Sequence, residues 1–185
     1  MLYLISGASR SGKTMIAKEI QRDKGISYLS LDWIVMGFTN GMPESGIHDK
    51  LFPDEIAIRI RFFVEAMFES MIWVREHQVI EGEAILPECA RVLVDRHPGF
   101  VKAIFLGFTD VDVARKVAEV KEHSEGERDW LTKESDEYIK DHIENMVAYS
   151  QKVRKQCALH DMPYFDTSSD FLGTLETATN FLFQE

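Results

Sequence analysis

Gly7-Ala8-Ser9-Arg10-Ser11-Gly12-Lys13-Thr14 sets two glycines, a lysine and a hydroxyl at the spacing G-x-x-x-x-G-K-[ST]. The glycines free the backbone to wrap a polyphosphate with its N–H groups pointing inward, and a helix N-terminus behind them adds partial positive charge. Ala8, Ser9, Arg10 and Ser11 supply the body of that cradle. The ammonium of Lys13 would meet the β- and γ-phosphates as a point charge, and the Thr14 hydroxyl would ligate Mg²⁺. Three carboxylates stand where strands should give way to loops: Asp32 after Ile26 to Leu31, and Glu81 and Glu83 after Val79-Ile80. Carboxylates there suit phosphoryl chemistry, which needs positioning and charge stabilisation more than a strong base.

The elements that must hold these groups follow from the same stretches. Leu2-Tyr3-Leu4-Ile5 reads as a buried strand, and Met15 to Ile20 as the start of a helix running to about Lys24, where Gly25 is a natural C′ residue. Residues 33–52 contain Gly37, Gly41, Pro43 and Gly46, so the pattern predicts a long loop with at most a short helical turn. A helix from Pro53 to about His77 carries Ile56, Ile60, Phe63, Met67, Met71 and Val74 as one stripe. Arg59 falls on the shoulder of that stripe, facing a cleft, and Arg61 lies well round the helix. Strand four is Val101 to Leu106, and Thr109 or Asp110 caps the helix that follows it. A charged, glycine-broken segment at 123–129 precedes a helix from about Lys133 to His160. Met162 to Phe165 is a short fifth strand ending at Asp166-Thr167-Ser168, and Phe171 to Phe183 closes the chain as a helix in which Gly173 is a blemish. Strands alternating with helices imply a parallel, doubly wound α/β sheet with helices on both faces.

The 185 residues suit a single domain spanning 1–185, and 21 basic against 31 acidic residues give a net charge of −10. That balance argues against a nucleic-acid surface, which concentrates lysine and arginine. Cys89 and Cys157 show no metal-site or disulfide-framework spacing, and no apolar run reaches membrane-span length. The expectation is a cytoplasmic protein with no membrane and no nucleic-acid partner; oligomeric state is left open. The histidines show no H-x-x-x-H pairing and read as surface or satisfied side chains.

With this loop near residue 10, Asp32 after strand two, Glu81-Gly82 after strand three, charge at 115–130 and Asp166-Thr167-Ser168 near the end, the chain resembles the P-loop small-molecule kinases. These include nucleoside monophosphate, shikimate and gluconate kinases, chloramphenicol phosphotransferase and the zeta-toxin kinases. The resemblance implies a three-layer P-loop NTPase fold with a five-stranded parallel sheet in the order 2-3-1-4-5. It further implies an acceptor loop at about 33–52, a short lid at about 115–130, and the use of ATP with Mg²⁺. By position, Asp32 resembles the carboxylate that accepts the acceptor's proton or helps hold Mg²⁺. Glu81 and Glu83 sit where related kinases bind acceptor hydroxyls or contact Mg²⁺ through water, and Trp33 is placed to line the acceptor pocket. Arg128 is the lid cation expected over the transferring phosphate, and Arg115 the side chain expected to stack on the adenine. Asp166, Thr167 and Ser168 resemble the loop that touches the base.

The reading is therefore an ATP-dependent phosphotransferase acting on a hydroxyl of a small molecule. A nucleoside or nucleotide kinase is the alternative, although an ionised phosphate acceptor calls for several arginines. A regulatory NTPase coupled to a partner is the reading from another class. A GTPase is disfavoured, because Asp170-Phe171-Leu172-Gly173 comes too late for a D-x-x-G motif and Thr132-Lys133-Glu134-Ser135 lacks the base-reading aspartate.

Overall fold

A computed structural model describes residues 1–122 and 131–184. Five strands, β1 (Leu2–Gly7), β2 (Ser27–Ser30), β3 (Gln78–Glu81), β4 (Val101–Gly107) and β5 (Tyr164–Asp166), form one sheet in the order β2-β3-β1-β4-β5. Every pairing is parallel. β1 is central and wholly buried, which is why its sequence is a continuous apolar run.

Side-chain alternation along the strands divides the core into two layers. Leu2, Leu4, Ile80, Val101, Ala103 and Phe105 point to one face, and Tyr3, Ile5, Val79, Ile104 and Leu106 to the other. The first face is covered by α3 (Pro53–Trp73), α4 (Pro87–Arg96) and α6 (Asp136–Leu159). The second is covered by α1 (Lys13–Lys24) and α7 (Phe171–Phe183), through Ile16, Ile20, Leu175 and Leu182. α2 (Leu31–Gly41) follows directly on β2, and α5 (Val113–Glu122) packs against α6.

Several boundaries differ from the sequence expectation for identifiable reasons. Residues 33–41, expected in a loop, belong to the helix α2 despite Gly37 and Gly41, because Leu31, Ile34, Val35 and Phe38 pack on the core. Only 42–52 remains a connection, with a 3₁₀ turn at Pro43–Ser45. α3 stops at Trp73 rather than near His77, as Arg75 takes a left-handed φ of 57° in the turn. Gly173 sits in the first turn of α7 beneath its cap: the Asp170 carboxylate accepts from the Gly173 N–H at 3.0 Å.

The parallel registry brings the strand ends together. Ser30 and Ile5 both lie level with Glu81, Gly7 with Leu106, and Gly107 with Asp166. Strand order reverses around β1, since β1 leads to β2 on one side while β4 lies on the other. Ligands of open α/β sheets bind at such a switch point, outside the carboxyl ends of the strands.

Candidate active site

The loop between β1 and α1 is built by backbone conformations that side chains resist. Gly7 has φ 123° and Gly12 φ 98°, and Arg10 between them is also left-handed at 61°. A Cβ at Gly12 would meet Leu175 Cδ2 at 2.6 Å, so the second glycine lets the loop lie against α7. The Ser11 hydroxyl donates to the Ala8 carbonyl at 2.8 Å and fixes the bend. Gly12 caps α1, leaving the first N–H groups of that helix without a side-chain cap.

Lys13 is only 7% exposed, and its ammonium donates to the Ala8 carbonyl at 2.6 Å, curled back over the loop it serves. Thr14 donates its hydroxyl to Glu81 Oε2 at 3.2 Å. Glu81, at the end of β3 and 2% exposed, is thereby brought against the first turn of α1. Two residues on, the Glu83 carboxyl accepts a hydrogen bond from Ser9 and interacts with Lys13, Asp32 and Glu81. Burial, and then the neighbouring charges of Asp32 and Glu81, push its pKa up against the opposing pull of Lys13 and Ser9. Asp32 lies exposed in the first turn of α2. Lys13, Thr14, Asp32, Glu81 and Glu83, collected from three separate stretches of sequence, thus share one end of the sheet. Trp33, next to Asp32, is solvent-exposed with its ring 6.1 Å from that of Tyr28.

The donors suit Mg²⁺, a hard cation that takes a hydroxyl and one or two carboxylates and fills its remaining positions with water and phosphate. Thr14, Asp32 and Glu81 offer such oxygens. Among the described residues no three acidic, histidine or cysteine side chains form a ready-made metal cage.

Other positions depart from the sequence expectation. Arg115 sends its guanidinium into solvent, paired with Glu119 at 2.9 Å. Its neighbour Lys116 instead lies over the rings of Phe108 and Phe171, at 5.4 and 5.2 Å from their centres. Phe171 reaches within 3.2 Å of where a Gly12 Cβ would stand, so Lys116 rather than Arg115 is carried toward the phosphate loop. The two side chains diverge because α5 packs on the core through Val113, Val117 and Val120, which puts Lys116 at the edge of the buried face and Arg115 on the solvent side. The helix is capped by Asp112, which accepts from the Arg115 N–H at 2.9 Å, rather than by Thr109 or Asp110. Arg59 donates to the Gly46 carbonyl at 3.2 Å and braces the connection before α3. Arg128 and residues 123–130 of the expected lid lie outside the described residues. His142 of α6, a bystander by sequence, is near enough to Arg10 that burial and then the guanidinium charge lower its pKa. On the same face of α6, the Tyr149 hydroxyl donates to the Glu83 carbonyl at 3.3 Å. No local motif marks these α6 residues; only the packing of the helix across the sheet does.

At the far end of the site, Asp166 holds its own loop. Its carboxylate accepts from the Thr109 hydroxyl, from the Ser168 hydroxyl and from the Ser168 N–H at 3.0 Å, and Arg154 stands 3.6 Å away. Thr167 is buried, and its N–H donates to Gly107 at 2.8 Å. Burial alone would raise the Asp166 pKa, but the hydrogen bonds from Ser168 and Thr109 outweigh it and hold the carboxyl below the ordinary value of 3.8. A depressed carboxyl stabilises the fold above its unfolded pKa and loses that contribution as pH falls through the folded one. Asp166→Asn is therefore expected to lower stability at neutral pH in urea melts. The difference from wild type should shrink as the pH drops below 3.8.

No protein-family model matches the chain, and no curated protein matches it in sequence. Solved structures do match in shape. A shikimate kinase from Bacteroides thetaiotaomicron superposes with a TM-score of 0.54 at 16% identity, over 98% of this chain and 96% of that one. A gluconokinase from Sinorhizobium meliloti 1021 gives 0.55 at 16%, over 97% and 90%. The deoxyadenosine kinase of M. mycoides with bound dATP gives 0.50 at 15%, over the whole of both chains. The fold is that of the P-loop small-molecule kinases, as the resemblance implied.

Proposed function

We propose that this chain transfers the γ-phosphoryl group of ATP to a hydroxyl of a small molecule, with Mg²⁺ bound at Thr14. The observation that carries the reading is the convergence of Lys13, Thr14, Asp32, Glu81 and Glu83 on the open end of a P-loop sheet. Backbone N–H groups of residues 7–14 bind the β-phosphate. Lys13 exchanges the Ala8 carbonyl for the phosphate oxygens, a short swing for an ammonium already inside the loop. The metal supplies charge neutralisation on the phosphates.

Asp32 takes the proton of the acceptor hydroxyl, a role that suits an exposed carboxylate at the mouth of the site. Glu83 binds acceptor hydroxyls, Trp33 gives the acceptor a flat wall, and Arg59 holds the 42–52 connection against α3. Lys116 and Phe171, beside Gly12, form the side on which the nucleotide base would lie, with Asp166, Thr167 and Ser168 shaping its edge. Arg128 remains our choice for the cation over the transferring phosphate. Two free cysteines fit a cytoplasmic setting.

A nucleoside is a second acceptor class with the same hydroxyl chemistry. The exposed Trp33 ring, available for stacking, and the full-length likeness to a deoxyadenosine kinase favour including it. The test is a screen of hydroxyl-bearing metabolites, nucleosides among them, for acceptor-dependent ADP release, run beside Asp32→Asn. Wild type is expected to respond to one chemical class, and Asp32→Asn to lose roughly 10²-fold or more in kcat with little change in nucleotide affinity. ADP release that no acceptor stimulates but a protein partner does would replace the kinase reading with a regulatory one.

A further inference from the structure

α3 is apolar on two opposite faces. Ile56, Ala57, Ile60, Val64 and Phe68 enter the core. At 100° per residue, Ile58, Phe62, Ala66 and Trp73 lie almost diametrically opposite, and all four are exposed. Phe62 is 79%, Trp73 84% and Ile58 64% accessible. Glu69, which shares this side of the helix, has its carboxylate drawn toward α4, pairing with Arg96 at 2.6 Å and His97 at 3.0 Å. The stripe is left continuous by that turn.

A helix with an apolar stripe on each side ordinarily has a neighbour on each side. We infer that α3 is the contact surface of a two-fold symmetric dimer, packing antiparallel against α3 of a second copy. The first argument is self-complementarity. Ala66, the small residue of the stripe, lies near its middle, with Ile58 and Trp73 almost equidistant toward the two ends. An antiparallel copy crossing at Ala66 lets the backbones approach there and sets Trp73 of each chain against Ile58 of the other, large beside medium at both ends.

Area is the second argument. With a large aromatic side chain presenting about 150–250 Å², the stripe and adjacent Phe63 expose on the order of 600 Å². That approaches the roughly 800 Å² each partner contributes to a stable interface and matches the largest patches left bare on monomers, about 300–600 Å². Charge is the third. Arg61 beside the stripe is neutralised by Glu65 at 2.7 Å, so the flank presents a balanced pair rather than the excess acid of the chain as a whole. An anionic membrane would want lysines and arginines ringing the patch, and this flank has none in excess.

Sedimentation velocity across a concentration series tests the inference. Wild type is expected at twice the chain mass, shifting toward the chain mass on dilution. Phe62→Glu and Ala66→Arg, with circular dichroism matching wild type, are each expected to sediment at the chain mass at every concentration. Leu159→Glu, a change at an equally exposed apolar residue away from the stripe, is expected to leave the dimer intact. Ala66→Cys, oxidised with copper phenanthroline, should yield a dimer linked at residue 66, because a two-fold axis near Ala66 places the residue beside its own copy. A wild type that stays at the chain mass at every concentration overturns the proposal, including one that instead floats with phosphatidylcholine vesicles. A dimer insensitive to both α3 substitutions overturns it equally.

Discussion

Lys13→Ala is expected to lower phosphoryl transfer by about 10²–10³-fold, the range found when one preorganised donor to developing charge is removed. The ammonium is already placed: largely buried, held at 2.6 Å from the Ala8 carbonyl, and close enough to pull the Glu83 pKa down against the effect of burial. The loop carbonyl keeps the cation hydrogen-bonded within the loop. Once it is removed, Asp32, Glu81 and Glu83 face the phosphates with one cation fewer, so repulsion adds to the loss of the contact. Nucleotide affinity should fall along with kcat. Lys13→Arg should restore little, because a planar guanidinium cannot occupy the space of a compact ammonium tucked over Ala8. Isothermal titration with an ATP analogue and a coupled ADP assay separate the two quantities. Unchanged binding and unchanged turnover would end the nucleotide assignment.

Legibility from sequence followed the range of the interaction that sets each feature. The phosphate loop was readable because its geometry is local: Gly7, Gly12, Lys13 and Thr14 are fixed by adjacent backbone. The first helix was also readable, since Gly25 marks its end within a few residues. α2 was not. Its glycines and short length speak for a loop, and the helix exists because Leu31, Val35 and Phe38 reach a core made by distant strands, tertiary packing overriding propensity. The exchange of Arg115 for Lys116 has a smaller cause with a larger result. With Val113, Val117 and Val120 packed on the core, Lys116 stands at the edge of that face toward Phe171 and Arg115 on the solvent side, because neighbours on a helix point 100° apart. The placement of His142 and Tyr149 near the site depends on how α6 crosses the sheet, which no stretch of α6 encodes alone. The bare outer face of α3 was present in the sequence as Ile58, Phe62 and Trp73. It was masked by the inner stripe, since a search for one apolar face stops when it finds one.

Gly7→Ala should cost on the order of 4 kcal/mol or more of stability, at the far end of the range for one substitution. Two independent penalties act at the same atom. Gly7 has φ 123°, where an L side chain is strained, and a Cβ there would lie 1.8 Å from the Leu106 carbonyl oxygen. That oxygen cannot move aside. It accepts the Ala8 N–H at 3.0 Å, and Leu106 is registered directly on Gly7 between β1 and β4 at the centre of the sheet. The strain can be relieved only by parting β1 from β4 or by reshaping the start of the phosphate loop. Either response displaces Ala8, whose carbonyl holds both Ser11 and Lys13. A melting temperature about 10 °C or more below wild type is expected for a chain of this size. Any folded fraction should bind ATP weakly even at temperatures where it remains helical. Gly25→Ala provides the contrast: it shares a left-handed φ, at 68°, but a Cβ there meets nothing within 4 Å. Its cost should be the conformational one alone, about 1 kcal/mol, with nucleotide affinity untouched. Equal losses in the two variants would mean that backbone conformation, not the close approach of β1 to β4, is what Gly7 provides.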